Sequence, residues 1–277
     1  RNFPLNSHRN FSSKKMEQFN PPLPPLPNLR KSSFDLTNAE ESSFDVAQYI
    51  DHTVLKPTSV EGDIAKVCDE AVQHRFAAVC VPPNMVRTAK ACLASKPTSS
   101  VRVATVLGFP FGYSCIGAKE CEAKVAIEDG ADELDMVANI SAIKSQNWEL
   151  LRKEVDTILA CVRAHNRTLK VIIESGILTD EEIIRCCKIY GEAGIDFLKT
   201  STGYAESGAS VHAVALFRKN LPESVQIKAS GGIRDYTTAM KMIRAGATRI
   251  GCSAGVAIVS SSPPATAASA GSDGGGY

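Results

Sequence analysis

The sequence predicts an α/β protein that folds as a single (β/α)8 barrel, or TIM barrel, with disordered N- and C-terminal tails. Three observations lead to this prediction. Short apolar runs recur along the chain, amphipathic helical patterns separate them, and one glycine motif precedes several of the runs. Strands of a parallel sheet are covered by helices on both faces, so they are apolar almost throughout. Eight such runs, each followed by a helical pattern, favour a closed barrel.

Eight short runs rich in β-branched and other apolar residues are the predicted strands. They are residues 48–52, 77–81, 101–107, 133–137, 169–174, 197–201, 225–229 and 249–252. The alternative is an open, doubly wound sheet. That fold normally carries a glycine-rich nucleotide loop after its first strand, and residues 51–57 contain no glycine. The barrel is therefore the favoured architecture.

Helical patterns between the strands support the same alternation. Residues 62–73 repeat apolar side chains at helical spacing, namely Ile64, Val67, Cys68, Ala71 and Val72. Residues 148–164 show the same spacing. Residues 180–190 follow Thr179, whose hydroxyl is a good cap for a helix N-terminus.

An internal repeat marks the junction between helix and strand. Residues 130–135, 194–199 and 246–251 share one frame that begins with glycine, and residues 75–80 follow it more loosely. The glycine is expected to end a helix in the left-handed conformation. The sixth residue then falls toward the C-terminal end of each strand; these residues are Asp135, Lys199, Gly251 and Cys80. Active sites of (β/α)8 barrels lie on the face that carries those ends.

The composition excludes several classes of function. Hydrophobic residues make up 44% of the chain, and 31 Lys and Arg against 30 Asp and Glu leave a net charge of +1. This balance argues against binding of nucleic acid or a membrane surface through bulk charge, and no apolar run is long enough to span a membrane. The nine cysteines form no Cys-x-x-Cys motif. We therefore expect no metal site, no disulfide framework and a reducing, cytoplasmic environment.

The chain ends differ in composition from its middle, which predicts three segments. Residues 1–40 are predicted to be a disordered extension, because they are basic at the start and contain a proline-rich run at 21–27. A targeting segment is the alternative for this part. Residues 41–259 are the predicted barrel domain. Residues 260–277 are rich in Ser, Pro, Ala and Gly and are predicted to be a flexible tail.

Two lysines at the ends of neighbouring predicted strands carry the chemistry. Lys199 ends the sixth strand and Lys228 ends the seventh, and adjacent strands lie about 4.8 Å apart. Like charge and partial burial disfavour protonation, so one lysine should lose its proton near neutral pH. A neutral amine is what imine formation with a carbonyl requires. Asp135 adds a carboxylate for ion pairing or proton transfer. Two alternatives stay open. One or both lysines could simply end a strand at the solvent-exposed rim of the barrel, and Asp135 could form a purely structural ion pair.

Glycines after the last two predicted strands suggest a phosphate site. Gly231 and Gly232 follow the seventh strand, and residues 251–255 follow the eighth with two further glycines. Loops after strands 7 and 8 commonly bind phosphate in such barrels through backbone N–H groups.

Four motifs in order make the chain similar to a known family. They are Ile-Asp-His-Thr at 50–53, Glu-Leu-Asp-Met-Val at 133–137, Lys-Thr-Ser-Thr-Gly at 199–203 and Lys-Ala-Ser-Gly-Gly-Ile-Arg at 228–234. Together they resemble the bacterial-type deoxyribose-phosphate aldolases from about residue 49 to 259. The resemblance implies a class I aldolase without metal or other cofactor. Such an enzyme cleaves 2-deoxy-D-ribose 5-phosphate to acetaldehyde and D-glyceraldehyde 3-phosphate in deoxyribonucleoside catabolism.

The resemblance also implies roles for individual residues. Lys199 is the Schiff-base lysine, Lys228 perturbs it, and Asp135 belongs to the proton relay. Tyr277, the last residue, is the family's terminal tyrosine that assists proton transfer. The implied substrate-binding residues are Asp51, Thr53, Cys80 and Thr202, and the implied phosphate-binding residues are Gly203, Gly231, Gly232, Gly251 and Ser253. Partners are then a sugar phosphate and acetaldehyde, and a homo-oligomer is possible.

Two positions depart from the pattern of many relatives, and two other functions stay open. Ala254 stands where many relatives have a second serine, and Tyr204 stands where some carry lysine, which weakens the expected phosphate contacts. One rival function is another phosphate-sugar enzyme, such as an isomerase or a transaldolase. The other is a non-catalytic protein that binds sugar phosphates or partners through the proline-rich segment.

Overall fold

The computed structural model describes residues 44–96 and 100–261. In this part of the chain, eight parallel strands close into a barrel in sequential order, with β8 paired to β1. The strands are β1 (Ile50–Thr53), β2 (Ala78–Val81), β3 (Arg102–Leu107), β4 (Glu133–Val137), β5 (Thr168–Ile172), β6 (Phe197–Lys199), β7 (Gln226–Ser230) and β8 (Arg249–Cys252). The predicted (β/α)8 architecture is confirmed.

Helices surround the barrel and connect its strands. They are α1 (Glu61–His74), α2 (Val86–Ala94), α3 (Ile116–Glu128), α4 (Ile140–Lys144), α5 (Trp148–Ala164), α6 (Asp180–Ala193), α7 (Val211–Asn220), α8 (Tyr236–Arg244) and α9 (Gly255–Ser260). Single 3-10 turns occupy Val46–Tyr49, Pro83–Met85 and Ser175–Ile177. No helix in the described ranges has both the length and the apolar character needed to cross a membrane.

The observed element boundaries differ from the predicted ones where side chains redirect the backbone. The first predicted strand begins two residues too early, because Asp45 caps the 3-10 turn through the Ala47 N–H and β1 starts only at Ile50. The fifth predicted strand runs two residues too far, because Glu174 adopts a left-handed φ of 53°. Thr179 caps α6 as predicted, in a capping box with Glu182.

The repeated glycine motif marks the expected junctions. Gly130, Gly194 and Gly246 all have positive φ, and Arg75 takes the same conformation at the looser copy. The next residues enter β4, β6 and β8, which puts Asp135 and Lys199 toward the C-terminal side of the barrel.

Apolar side chains fill the space between barrel and helices, whereas the barrel interior is divided. A separate interior cluster of small apolar residues lies on β2 and β3, formed by Ala78, Cys80, Ala104 and Val106. Charged side chains occupy the interior positions of the other strands, as described below. Parallel barrels fill their interior with layers of side chains, so this division decides where polar chemistry is possible.

A buried ion pair joins the β3–α3 loop to the end of β4. Lys119 of α3 is fully buried and donates to the Gly112 and Val137 carbonyls, each at 2.7 Å, and to Glu154 of α5 at 2.6 Å. Glu154 also accepts from the Asn139 N–H at 3.1 Å. Val137 lies two residues after Asp135, so the pair fixes the strand end that carries this carboxylate.

Lys119→Met is expected to lower the free energy of unfolding by about 3–5 kcal/mol, because Glu154 then remains buried without a partner. Adding Glu154→Leu should recover part of this loss. Urea unfolding measures both. Lys124→Met, at an exposed position of the same helix, is the matched control and should leave the midpoint unchanged. If Lys119→Met also left the urea midpoint unchanged, the Lys119–Glu154 pair would not stabilise the fold as we infer.

Candidate active site

Seven charged side chains meet inside the barrel on its β4–β1 side. They are Asp51 of β1, Glu133 and Asp135 of β4, Lys170 of β5, Lys199 of β6, Lys228 of β7 and Arg249 of β8, and all are buried. Glu133 and Asp135 are two residues apart, so both project to the same face of their strand. The pairing register sets Lys199 beside Lys228 and Asp135 beside Lys170.

Asp135 is shared by three lysines. One of its carboxylate oxygens accepts from Lys170 at 2.6 Å, and the other accepts from Lys199 and Lys228, each at 2.8 Å. The two lysines predicted to meet therefore do so across one carboxylate, and Asp135 pairs with both. Further ion pairs stabilise the protonated forms of Lys170 and Lys228 more than that of Lys199. Lys170 also contacts Glu133 at 2.6 Å, and Lys228 also contacts Asp51.

The charge balance of this cluster disfavours protonation of one lysine. Four buried cationic groups face three buried carboxylates, and Arg102 reaches Glu133 at 3.2 Å as a further cation at the edge. Buried charge without a partner is costly. Among the described residues, Lys199 pairs with one carboxylate, Asp135, and shares it with Lys170 and Lys228. Lys199 is therefore the group whose neutral form costs least.

The pKa directions agree with this assignment. Burial lowers the pKa of Lys199, and Lys228 adds to the effect while Asp135 opposes it. Burial also acts to lower the pKa of Lys228, but Asp135 and Asp51 outweigh it and raise that pKa. Burial acts to raise the pKa of Asp135, but Lys170, Lys199 and Lys228 hold it well below the usual range. Lys199 is thus the candidate neutral amine beside an ionised aspartate and a protonated lysine.

A cavity of about 900 Å³ opens at the C-terminal ends of the strands. Most of the residues predicted for the site line it; they are Thr53, Lys199, Thr202, Gly203, Gly231, Gly232, Gly251 and Ser253. Asp51, Cys80, Asp135 and Lys228 are fully buried and do not line the cavity. Cys80 lies in the small apolar cluster, close enough to Lys199 and Lys228 for their charges to oppose the rise of its thiol pKa on burial. Tyr277 lies outside the described residues, so its role stays a prediction.

The glycine loops present open backbone to the cavity. Gly203, Gly231 and Gly232 have φ values of 85°, 88° and 81°, which a residue with a side chain adopts only with strain. Gly208 fits against the carbonyl of Gly231 so closely that a Cβ atom would lie 2.3 Å from its oxygen. Gly251 lies within β8, where a Cβ atom would be 3.0 Å from Cε of Lys228. This glycine therefore makes room for the lysine chain.

Thr202 is held by a buried carboxylate that the resemblance did not identify. Its hydroxyl donates to Glu174 at 2.5 Å, and its N–H lies 3.3 Å from both Glu174 oxygens. Burial raises the pKa of Glu174, although these hydrogen bonds oppose the shift. Glu174 thus fixes the loop between Lys199 and the glycines.

Sequence reasoning missed three members of the charged cluster. They are Glu133, Lys170 and Arg249, which lie deeper in the barrel. The charged groups of Lys170 and Arg249 lie 5.9 and 5.3 Å from the centre of the Phe197 ring, and both side chains pair with Glu133. The available signal was a charged residue at an interior position of an otherwise apolar strand. Exposed Lys56, Lys66 and Arg234 were also missed and line the cavity.

Comparisons with known proteins identify the family. A (β/α)8 barrel with a buried lysine–carboxylate centre below a cavity at the strand ends has the architecture of a barrel enzyme. Residues 45–261 match the model of the DeoC/LacD family aldolases, and the chain belongs to this family.

Relatives extend over nearly the whole described region. The deoxyribose-phosphate aldolase of Caldicellulosiruptor saccharolyticus is 49% identical over 217 residues, which are 78% of this chain and 97% of the relative. That of Thermococcus gammatolerans is 48% identical over 215 residues, 78% of this chain and 95% of the relative. A tetrameric deoxyribose phosphate aldolase from Aeropyrum pernix has a similar structure, with a TM-score of 0.72, 29% identity and coverage of 82% of this chain and 98% of that chain.

The electrostatic assignment predicts opposite shifts for two substitutions. Lysine acylation followed by mass spectrometry at a series of pH values gives the midpoint at which Lys199 becomes reactive. In the parent protein this midpoint should lie below the usual lysine value of about 10.4. Lys228→Met removes a cation that lowers the Lys199 pKa, so the midpoint should rise. Asp135→Asn removes an anion that raises it, so the midpoint should fall.

Exposed Lys188 provides the internal reference, because it lies on α6 outside the cavity. Shifts of Lys199 in the same direction for both substitutions would contradict the assignment, as would equal shifts at Lys188.

Proposed function

We propose that this protein is a class I aldolase that reversibly cleaves 2-deoxy-D-ribose 5-phosphate to acetaldehyde and D-glyceraldehyde 3-phosphate. The observation that carries the proposal is Lys199, which faces the cavity and shares Asp135 with Lys228. The substrate named for the relatives supports the choice of sugar phosphate. A role in deoxyribonucleoside catabolism, a cytoplasmic location and a homo-oligomeric state belong to the same proposal, and the tetrameric relative supports the last of these.

The reaction begins with the neutral amine of Lys199. It adds to C1 of the open-chain sugar, and loss of water gives an iminium ion that can accept electrons. Because the products contain two and three carbons, the bond that breaks is C2–C3. A base removes the C3 hydroxyl proton, the electron pair of that bond moves to form the enamine, and glyceraldehyde 3-phosphate leaves. Protonation of the enamine at C2 and addition of water release acetaldehyde and restore Lys199.

Asp135 and Lys228 serve the proton steps in this proposal. Asp135 is ionised and already accepts from Lys199, so it can pass a proton through water between the amine and the substrate. Lys228 stays protonated between Asp135 and Asp51, where its charge keeps the Lys199 pKa low. Tyr277 is proposed to assist protonation of the enamine.

The loops after β6, β7 and β8 are proposed to bind the phosphate. Their glycine N–H groups and Ser253 line the cavity, and exposed Lys56, Lys66 and Arg234 give its outer part a positive charge. Backbone N–H groups and cations together are a common way to bind phosphate. These cations compensate for the absence of a second serine at Ala254 and of a lysine at Tyr204.

Imine trapping tests the reaction directly. Acetaldehyde with borohydride should leave an ethyl group on Lys199, and 2-deoxyribose 5-phosphate should compete with this labelling. Lys199→Ala should abolish turnover, while the matched Lys188→Ala variant should keep it. Lys228→Leu should lower turnover at neutral pH, because the Lys199 pKa rises. A folded protein that forms no Lys199 adduct would point to an isomerase or a non-catalytic binding protein instead.

The phosphate assignment predicts a selective defect in Gly232→Ala. Gly232 and Gly194 both have positive φ and open space where a Cβ atom would lie, but only Gly232 faces the cavity. Gly232→Ala should raise KM for 2-deoxyribose 5-phosphate about tenfold, one weakened charge-assisted hydrogen bond being worth roughly that much. KM for unphosphorylated 2-deoxyribose should not change. Gly194→Ala should leave both constants unchanged; equal effects of the two variants would count against the phosphate site.

A further inference from the structure

Glu174 supports the loop after β6 from outside the cavity. Its side chain is buried, and it is not among the residues that line the cavity. Its carboxylate accepts from the Thr202 hydroxyl at 2.5 Å, and both of its oxygens lie 3.3 Å from the Thr202 N–H. Thr202 does line the cavity. Glu174 therefore acts on a bound substrate through the loop that it holds.

The backbone at the end of β5 directs this carboxylate toward the loop. The Ile173 N–H donates to the Lys199 carbonyl at 3.2 Å, and the Ser175 N–H donates to the Thr200 carbonyl at 2.8 Å. Between these two bonds, Glu174 has a left-handed φ of 53°, which is strained for a residue with a side chain. Such strain persists where surrounding contacts hold the residue in place, and it is common at functional sites. The carboxylate thus has a fixed position at the base of the loop.

The Thr202 hydroxyl connects this carboxylate to the turn that contains Gly203. The hydroxyl donates to Glu174 and accepts from the Tyr204 N–H at 3.1 Å. A carboxylate can only accept, so the hydroxyl proton points toward Glu174 and an oxygen lone pair is left for the Tyr204 N–H. A hydroxyl that accepts from the N–H two residues later closes a tight turn. Gly203, with a φ of 85°, lies at its centre.

The turn leaves the Gly203 N–H available to a ligand. Within residues 44–96 and 100–261, no protein group accepts a hydrogen bond from this N–H. Gly203 lines the cavity together with Gly231, Gly232 and Ser253 of the neighbouring loops. Backbone N–H groups collected around a concave surface attract anions. The turn held by Glu174 therefore supplies one of the donors on this side of the cavity.

We propose that Glu174 is a positioning residue for the phosphate of the substrate, which holds the turn through the Thr202 hydroxyl so that the Gly203 N–H can bind the phosphate. This inference rests on the proposed function and deepens it. Like charges repel, so the charge of Glu174 alone would weaken phosphate binding. The turn has the opposite effect, because an N–H that is already fixed loses little conformational freedom when the phosphate binds. The sign of the effect separates the two roles.

Kinetics of Glu174→Gln with two substrates test the proposal. Glutamine has nearly the same shape, but its amide nitrogen cannot accept from Thr202. KM for 2-deoxyribose 5-phosphate should rise roughly three- to tenfold, the effect of one hydrogen bond of ordinary strength, while KM for unphosphorylated 2-deoxyribose should not change. The pH midpoint of Lys199 acylation should shift far less than in Asp135→Asn, because Asp135 is the carboxylate bonded to Lys199.

Thr202→Val is a second variant that interrupts the same connection. It removes the hydroxyl and leaves Glu174 in place, so the ratio of KM for the phosphorylated sugar to KM for the unphosphorylated sugar should rise as in Glu174→Gln. Because both substitutions break one connection, the double variant should show no larger ratio than either single variant. If Glu174→Gln does not fold, an unchanged ratio in Thr202→Val overturns the proposal by itself.

Glu154→Gln is the matched control. Glu154 is also a buried carboxylate that does not line the cavity, so its substitution should lower the stability without changing the KM ratio. An unchanged or lower ratio in Glu174→Gln would overturn the proposal, as would an equal rise of both KM values, which indicates a purely structural role. Failure of acetaldehyde to label Lys199 in the parent protein, or of the parent to turn over 2-deoxyribose 5-phosphate, would instead overturn the proposed function. The two failures are thus distinguishable.

Discussion

The carboxylate of Asp135 holds the interior of this barrel together. Three lysines from three successive strands reach it. Without it, of the described carboxylates Lys170 would keep only Glu133 and Asp51, Lys228 would keep only Asp51, and Lys199 would lose the carboxylate to which it bonds. Arg249 and Lys228 then bring in Asp51, while Lys170 and Arg249 bring in Glu133. Because cations outnumber carboxylates, the cluster is stable only if one amine is neutral or exposed to solvent. Lys199 is buried but lines the cavity, and burial lowers its pKa, so it is the amine that we propose to be neutral.

The fold was predictable because its signals are local. A residue with positive φ after several of the helices, followed by an apolar run, defines a repeating unit, and Gly130, Gly194 and Gly246 keep that unit recognisable. The placement of Lys199, Lys228 and Asp135 near strand ends follows from the same frame. The end of β5 was not predicted correctly. The left-handed backbone of Glu174 ends this strand early, and no neighbouring residue in the sequence indicates that conformation.

The rest of the charged cluster was not predictable, for a physical reason. A charged residue within an apolar strand, such as Glu133 or Lys170, indicates an interior position, but it does not tell which charged residues of other strands share that space. The pairing of Lys170 with Glu133 and Asp135 therefore could not be read from the sequence. The bond between Tyr204 and Leu55 joins two loops without any sequence pattern. Such contacts depend on how the barrel closes.

The distances along the chain between the cluster's partners have a consequence for its assembly. Asp51 lies on the first strand, and its partners Lys228 and Arg249 follow 177 and 198 residues later. During synthesis, Asp51 therefore cannot pair with Lys228 or Arg249 until nearly the whole barrel domain has been made. Until β8 docks between β7 and β1, the cluster lacks Arg249 and Lys228 lacks its second fixed partner. The neutral amine that we propose at Lys199 is therefore expected only in the closed barrel, and an incomplete chain should not form the proposed imine.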